Sequence, residues 1–232
     1  VPIALGGPGV QGVDGQLLER FEQIDLVARG EGEVTVIELC AALADGLGAA
    51  RDVHGITSRQ PEGIHRAPDR AMIRDLGELP PYAWDLLPSI ASYKKITGEE
   101  DGLVPLDSGR GCAYDCSFCT IGRTWRRRSR PLPAGRLVGE MASLRGIPGA
   151  RRAYLCHDLF GADRSHAMSL CDELSERGVR VPWEVRARAD HLDAELLLRM
   201  GVDLAAHCHS YWTVHESGND MGHEEINLFL PS

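Results

Sequence analysis

Apolar positions recur along most of this chain at the spacings of short buried strands and amphipathic helices. In the first 48 residues they predict strands over residues 2–5 and 24–28 and helices over residues 14–21 and 34–47, joined by glycine-rich turns. Two such strand–helix units amount to less than half of a doubly wound α/β sheet. Cys40 lies at helical spacing with Val36, Leu39 and Leu43, so it is predicted to be a small buried residue.

Hydrophobic periodicity fades between residues 49 and 102 and then returns. The middle stretch is rich in turn formers, including Leu79-Pro80-Pro81-Tyr82, and is predicted to be a linker with local packing. Beyond it, strands are predicted over residues 103–106, 153–156, 181–186 and 202–206, and helices over residues 133–144, 164–177 and 193–200. This alternation predicts four βα units with parallel strands between residues 103 and 206.

The pattern ends abruptly after Ala206. No lysine or arginine occurs in residues 207–232, where four histidines gather instead: His207, His209, His215 and His223. This break predicts either an altered end, such as a frame change, or a genuine short cap. Metal binding by His207, Cys208 and His209 is a further hypothesis, which is disfavoured because successive side chains of an extended segment point in opposite directions.

Composition and charge narrow the class of protein. Hydrophobic residues form 43% of the 232 residues, enough for a core, and the formal net charge of -9 argues against a nucleic-acid binder. One basic cluster stands out: Arg123, Arg126, Arg127, Arg128 and Arg130. Such a run is typical of a solvated surface, with phosphate binding as the alternative. No run of residues suits a membrane span or a signal peptide, so a cytoplasmic protein is expected.

The cysteines carry the strongest chemical signal. Seven cysteines are present, and Cys112, Cys116 and Cys119 fall within eight residues, on a loop that follows a predicted strand. Clustered cysteines of this kind more often bind metal than form disulfides. Three thiolates suit a soft metal or an iron–sulfur cluster with one open coordination position. A zinc site completed by a nearby histidine is the alternative.

The spacing C-x3-C-x2-C after a strand and a glycine-rich approach, with Phe118 just before the last cysteine, resembles the radical S-adenosylmethionine superfamily. The resemblance implies that Cys112, Cys116 and Cys119 hold a 4Fe-4S cluster whose unique iron binds S-adenosylmethionine. One electron then cleaves that cofactor, and the 5'-deoxyadenosyl radical abstracts hydrogen from a substrate, or the cofactor serves as a methyl source. Phe118 would lie beside the adenine, with simple packing against the loop as the alternative.

Other motifs are similar to the cobalamin-binding subfamily of these enzymes. They are Gly6-Gly7-Pro8, Arg29-Gly30-Glu31-Gly32-Glu33 and the linker motif Trp84-Asp85-Leu86-Leu87-Pro88, in the expected order. The subfamily's Asp-x-His-x-x-Gly motif for the lower cobalamin ligand is absent, so a cobalamin site in this chain would be incomplete. The start at Val1 and the end of the βα pattern predict a chain truncated at both ends.

The resemblance therefore implies an α/β fold in four parts. Residues 1–48 would be the C-terminal part of a Rossmann-like cobalamin-binding domain and residues 49–102 a linker. Residues 103–206 would form an incomplete (β/α) radical barrel with its first four βα units, followed by the atypical histidine-rich tail, residues 207–232.

Residues after the predicted second and third barrel strands complete the candidate site. Asp158 is the first candidate for binding the ammonium group of S-adenosylmethionine, and capping of the next helix is its alternative. His157 is interpreted as a hydrogen-bonded core residue rather than a proton donor. Arg186 and Arg188 share a strand face with Glu184 and would pair with the cofactor carboxylate, unless Glu184 forms an internal ion pair with an arginine.

The functional hypothesis is reductive cleavage of S-adenosylmethionine coupled to methyl transfer in a biosynthetic pathway, with cobalamin as the methyl carrier. Cyclisation or rearrangement by the same radical is one alternative, and a zinc-binding module or an inactive fragment is another. The implied partners are a small-molecule or peptide substrate and a reducing donor such as flavodoxin or ferredoxin.

Overall fold

A computed structural model describes residues 1–90, 92 and 102–201, together with the backbone of residues 208–211 and 225–230. The chain divides into two compact units, Val1–Arg74 and Asp75–Ser232. Each unit is built round its own sheet, and each sheet contains both parallel and antiparallel strand pairs.

The sheet of the first unit has four strands in sequential order. Its strands are β1 (Ala4–Leu5), β2 (Leu26–Ala28), β3 (Ile56–Gln60) and β4 (Gly63–Arg66), and its helices are α1 (Asp14–Arg20) and α2 (Gly32–Ala44). Only β1 and β2 pair in parallel, and β3 and β4 continue the sheet in antiparallel fashion. The parallel pair is the part that the strand–helix pattern predicts.

Strands β3 and β4 correct the expectation that residues 49–102 are a linker. They lie inside that stretch and hydrogen-bond to the first sheet, and the boundary between the two units falls at Arg74. The hydrophobic pattern misses β3 because most of its buried side chains are polar: Thr57 and Ser58 are almost fully buried.

Helix α2 is correctly located, but its buried face differs from the prediction. Leu39 packs in a core cluster with Leu26 and Ile56, whereas Val36 is 53% exposed and Cys40 is also exposed. The helix is apolar on several sides, so its spacing alone does not identify the side that packs against the sheet.

The second unit is built on three adjacent parallel strands. These are β5 (Leu103–Asp107), β8 (Arg152–Phe160) and β9 (Trp183–Arg188), with β8 in the middle. Helices α4 (Ala134–Ser143), α5 (Arg164–Glu176) and α6 (Ala194–Met200) follow the strands in the predicted order. The expected βα alternation is therefore present in this unit.

One face of these strands is covered by the helices. Leu137, Val138 and Met141 of α4 are fully buried, as their spacing predicts, and Cys171 of α5 is buried as well. Val185 of β9 is also fully buried. The residues of β9 on the opposite face are charged, so they lie on the side of the sheet away from the packed helices.

The far side of β9 departs from a continued parallel barrel. There β9 pairs with β11 (Glu225–Leu230), which is antiparallel to it and pairs in turn with β10 (Cys208–Tyr211). The predicted fourth strand, residues 202–206, lies outside the described residues, as do His207, His215, His223 and the side chains of Cys208 and His209.

No helix among the described residues is long and apolar enough to cross a membrane.

Candidate functional site at the cysteine loop

The three clustered cysteines lie on a loop whose two ends are held together. After β5 the chain forms β6 (Gly109–Arg110), and it returns after the loop as β7 (Arg130–Pro131), which pairs with β6 in antiparallel fashion. The short helix α3 (Ile121–Thr124) lies between the last cysteine and the return strand. The loop thus emerges from the carboxyl end of β5, the edge where ligand sites of parallel sheets form.

Glycine is required where the two ends of the loop cross. Gly111, directly before Cys112, has φ of 91°, and a Cβ atom there would overlap the carbonyl oxygen of Arg128. At Gly122, a Cβ atom would come within 2.6 Å of the carbonyl oxygen of Tyr114. The glycines let the backbone that carries the cysteines pass close to the backbone that follows it.

A bulge at the carboxyl end of β8 directs two polar side chains toward this loop. The pairing with β9 shifts between Leu155 and Phe160, which leaves residues 156–159 out of regular register. His157 packs against Gly109, where an added Cβ would lie within 2.7 Å of the imidazole ring. The next residue, Asp158, accepts a hydrogen bond from the backbone N–H of Gly111, at 2.6 Å.

Asp158 also interacts with the far end of the cysteine loop. The side chain of Trp125 donates a hydrogen bond to its carboxylate, so one carboxylate joins the residue before Cys112 to a residue after Cys119. Desolvation raises the pKa of Asp158, and the two hydrogen bonds oppose that shift. Asp158 does not cap the next helix: Asp163 does, by accepting a hydrogen bond from the backbone N–H of His166.

The three thiols of the loop are close enough to influence one another. Burial raises the pKa of the Cys112 thiol, and the charges of Cys116, Cys119 and Asp158 raise it further. All three cysteines are partly exposed. Among the described residues, no three His, Cys, Asp or Glu side chains form a group that could hold a metal ion.

Phe118 projects into solvent beside Cys119. The residue is 72% exposed, so much of its ring surface is open to a ligand.

Two residues at and after the end of β9, Arg188 and His191, contact the cysteine loop at Tyr114. The Tyr114 hydroxyl lies 2.7 Å from Nε2 of His191, and the Arg188 guanidinium stacks over the Tyr114 ring, 4.7 Å from its centroid. Arg188 also donates two hydrogen bonds to Asp190, at 2.9 and 2.8 Å. This bidentate ion pair lowers the pKa of Asp190 to about 2.

The other charged residues of β9 have partners on the neighbouring strand. Glu184 forms an ion pair with Arg152 of β8, at 3.3 Å. The Arg186 guanidinium lies over the Tyr154 ring, 5.7 Å from its centroid. The ion pair of Glu184 with Arg152 therefore joins two neighbouring strands.

Two polar residues near this pair, Asp107 and Cys156, were not predicted from the sequence to belong to the site. Cys156 pairs in register with Asp107 of β5, and the charges of Asp107 and Arg186 both act on its thiol. Burial is the largest cause that raises the pKa of Cys156 to about 11, with the Asp107 carboxylate adding to it. Because side chains alternate along a strand, Asp107, Cys156 and Arg186 share the face that the helices leave open.

In the first unit, two glycine turns follow the parallel strands β1 and β2. A Cβ added at Gly6 would lie 3.8 Å from Cβ of Ala28, so the Gly6-Gly7 turn and the turn after Ala28 are neighbours. Arg29, in the second turn, is almost fully buried and donates a hydrogen bond to the carbonyl oxygen of Ile56, at 3.2 Å. It also forms ion pairs with Asp14 and Asp69. The turn is thereby fixed to β3 and α1.

Comparison with known proteins finds relatives that match both units. No protein-family model matches the chain. An uncharacterised methyltransferase of Pyrococcus horikoshii is 26% identical over 198 residues, which are 85% of this chain and 42% of that protein. An anaerobic magnesium-protoporphyrin IX monomethyl ester cyclase of Cereibacter sphaeroides is 28% identical over 202 residues, 83% of this chain and 32% of the cyclase. The chain thus spans less than half the length of these curated relatives.

A solved structure with the same fold is that of a radical S-adenosylmethionine methyltransferase, TsrM from Kitasatospora setae. It superposes with a TM-score of 0.58 at 23% identity, over 76% of this chain and 33% of TsrM. TsrM has been determined with tryptophan and an S-adenosylmethionine analogue bound, and with cobalamin and a [4Fe-4S] cluster bound. The mixed α/β fold with parallel strands is shared with that enzyme.

Proposed function

We propose that this chain, a relative of cobalamin-dependent radical S-adenosylmethionine enzymes, holds a 4Fe-4S cluster on Cys112, Cys116 and Cys119 and uses it to cleave S-adenosylmethionine reductively. When bound, such a cluster supplies the electron that breaks a carbon–sulfur bond of the cofactor. The observation that carries the proposal is the arrangement of three thiols on one loop, which is held at the carboxyl edge of a parallel sheet and brings Cys116 and Cys119 close enough for their charges to act on Cys112.

The donor set fits a cluster better than a single ion. A tetrahedral zinc ion needs its sulfur ligands at about 2.3 Å from one common point. A 4Fe-4S cluster instead takes each thiolate at a different iron. Three thiolates would therefore hold three irons of a cluster and leave the fourth iron open to the cofactor.

Residues outside the cysteines would orient the loop and the cofactor. In the proposed site, Asp158 holds the loop through Gly111 and Trp125, and its carboxylate would also bind the cofactor ammonium group. Phe118 would cover the adenine with its exposed ring. Arg188 would orient the loop through its contact with Tyr114. Arg186, the more exposed of the two arginines, would pair with the cofactor carboxylate.

Methyl transfer is the reaction that we propose for the whole protein. A relative that matches both units is named a methyltransferase, and cobalamin would accept and donate the methyl group. Neighbouring turns at Gly6-Gly7 and Arg29-Gly30 give the first unit a backbone edge without bulky side chains, which suits close approach of a large cofactor. Cyclisation is the second candidate, because named cyclases match as large a share of the chain.

Anaerobic iron and sulfide analysis of the reconstituted chain tests the cluster directly. We expect about four irons and four sulfides per chain, and an EPR signal that changes when S-adenosylmethionine is added. A triple Cys112→Ala, Cys116→Ala, Cys119→Ala variant should lose both iron and sulfide.

A matched control uses cysteines elsewhere in the chain. The Cys40→Ala, Cys171→Ala variant removes one exposed and one buried thiol outside the loop and should keep its iron and sulfide. Stoichiometric zinc without sulfide in the unaltered chain would refute the proposal in favour of a zinc module. Product analysis with a methyl-labelled cofactor then distinguishes methyl transfer from cyclisation.

A further inference from the structure

The cysteine loop carries a charge opposite to that of the chain as a whole. Between Arg110 and Arg130 the sequence contains six arginines and one acidic residue, Asp115, a formal net charge of +5 in a chain of -9. The rest of the chain is therefore strongly acidic. A local inversion of this size produces a positive field confined to the surroundings of the three cysteines.

Four of these arginines face solvent. Arg123, Arg126, Arg127 and Arg128 are exposed, and we call them the arginine rim. Within the described residues, no carboxylate forms an ion pair with Arg123 or Arg128.

The arginine rim is attached to the cysteine loop by geometry as well as sequence. Arg127 forms an ion pair with Asp115, which lies between Cys112 and Cys116. Arg126 and Arg127 have φ values of 52° and 55°, in the left-handed region that residues other than glycine adopt at a cost. The backbone thus turns back on itself at the rim, and the arginines stay beside the cysteines.

We propose that the arginine rim is the docking surface for an acidic one-electron donor protein of the flavodoxin or ferredoxin class, an inference that rests on the proposed function. The surface is basic and lies next to the thiols that would hold the cluster, as electron transfer over a short distance requires. An exposed charge patch of this kind mainly accelerates and orients a transient encounter.

The redox balance of the docked complex is simple. The reduced donor loses one electron and the site held by the cysteines gains it, with no atom or proton exchanged at the docking surface. That electron is consumed when the carbon–sulfur bond of S-adenosylmethionine breaks.

An acidic protein fits the rim better than a nucleic acid does. The surrounding charge of the chain is strongly negative, which repels a long polyanion that extends past the rim. A compact acidic protein can place a few carboxylates on the rim and keep the rest of its surface away.

Binding of a strongly acidic bacterial flavodoxin to the full chain tests this surface without an activity measurement. Titration calorimetry in 50 mM salt should show binding that weakens as salt rises, because exposed charges are screened. In an Arg123→Gln, Arg128→Gln variant, we expect the dissociation constant at low salt to rise roughly tenfold.

A control variant makes the same change of charge at the other edge of the sheet. Arg145 and Arg180 are exposed, precede β8 and β9, and are joined by a hydrogen bond from Arg145 to the carbonyl oxygen of Arg180. The Arg145→Gln, Arg180→Gln variant should bind flavodoxin within about twofold of the unaltered chain, since its charges lie away from the loop.

Equal weakening in both variants, or in neither, would overturn the docking surface. Stronger binding of a short single-stranded oligonucleotide than of flavodoxin, lost in the rim variant, would overturn it in favour of nucleic-acid binding. Iron and sulfide content, measured on the same samples, separates these results from failure of the proposed function, because a chain without a cluster fails that analysis whatever it binds.

Discussion

The carboxylate of Asp158 accepts a hydrogen bond from the backbone N–H of Gly111, 47 residues earlier in the chain. Gly111 is the residue before the first clustered cysteine, and Asp158 lies in the bulge of β8. The contact joins the middle one of the three parallel strands to the loop that would carry the cluster. Through Trp125 the same carboxylate also holds the other side of that loop.

Replacement of Asp158 should loosen the loop without unfolding the sheet. A hydrogen bond to a charged group contributes about 1–2 kcal/mol at a partly exposed site. We therefore expect Asp158→Ala to accelerate amide hydrogen exchange of residues 111–119 by roughly 10-fold or more, with Asp158→Asn intermediate. Iron content after reconstitution should fall in the same order.

Asp163→Ala is the matched control for this prediction. It removes the cap of α5 and should cost about 1 kcal/mol of stability, while exchange in the cysteine loop stays unchanged. Loop exchange that is equal in the Asp158 and Asp163 variants would contradict the role given to Asp158.

Gly111→Ala should displace the loop more severely than loss of Asp158. The new Cβ would overlap the carbonyl oxygen of Arg128, and φ of 91° is itself unfavourable for alanine. We expect at least a tenfold loss of bound iron, with far-UV circular dichroism close to that of the unaltered chain. Gly139→Ala in α4 has open space around it and should stabilise the protein by about 0.5–1 kcal/mol.

The protein should become less stable in mild acid because His157 resists protonation in the folded state. Burial is the main cause that lowers the pKa of His157 to about 4, with the charge of His166 adding to it, from 6.5 in the unfolded chain. Below pH 6.5 the unfolded chain takes up a proton that the folded chain resists, so stability falls as the pH drops from about 6.5 to 4. Urea unfolding at several pH values should show this slope, and His157→Gln should reduce it.

Arg29→Leu should destabilise the first unit. It would leave Asp14 and buried carbonyl oxygens without the guanidinium that now binds them. Loss of one member of a buried ion pair costs about 3–5 kcal/mol. Urea unfolding followed by hydrogen exchange in β3 measures the loss, and Arg51→Gln, which breaks an exposed pair with Glu62, should cost less than about 1 kcal/mol.

The sequence predicted those parts of the molecule that local spacing encodes. Helix α4 begins and ends within a residue or two of its prediction, and Leu137 and Val138 are buried as expected. The resemblance to radical S-adenosylmethionine enzymes is confirmed by relatives and by the TsrM fold. Both rest on short motifs that are visible along the chain itself.

The spacing of hydrophobic residues does not predict contacts between residues that are distant along the chain. The bulge in β8 turns Asp158 toward Gly111 and Trp125, and no local pattern announces it. Cys40 was wrongly expected to be buried, because α2 is apolar on more than one side. Strand β3 was missed because its buried residues Thr57 and Ser58 are polar and bond within the fold.

Because β6 pairs with β7 over two residues, the cysteine loop can vary in sequence and length independently of the sheet. Because the loop leaves and returns at adjacent points, a longer or shorter sequence between Gly109 and Pro131 leaves the register of β5 with β8 unchanged. Substitutions at loop positions that do not contact the sheet should therefore change the chemistry of the loop and leave the packing of the sheet intact. The chemistry of the loop can therefore change in evolution while the fold of the sheet is kept.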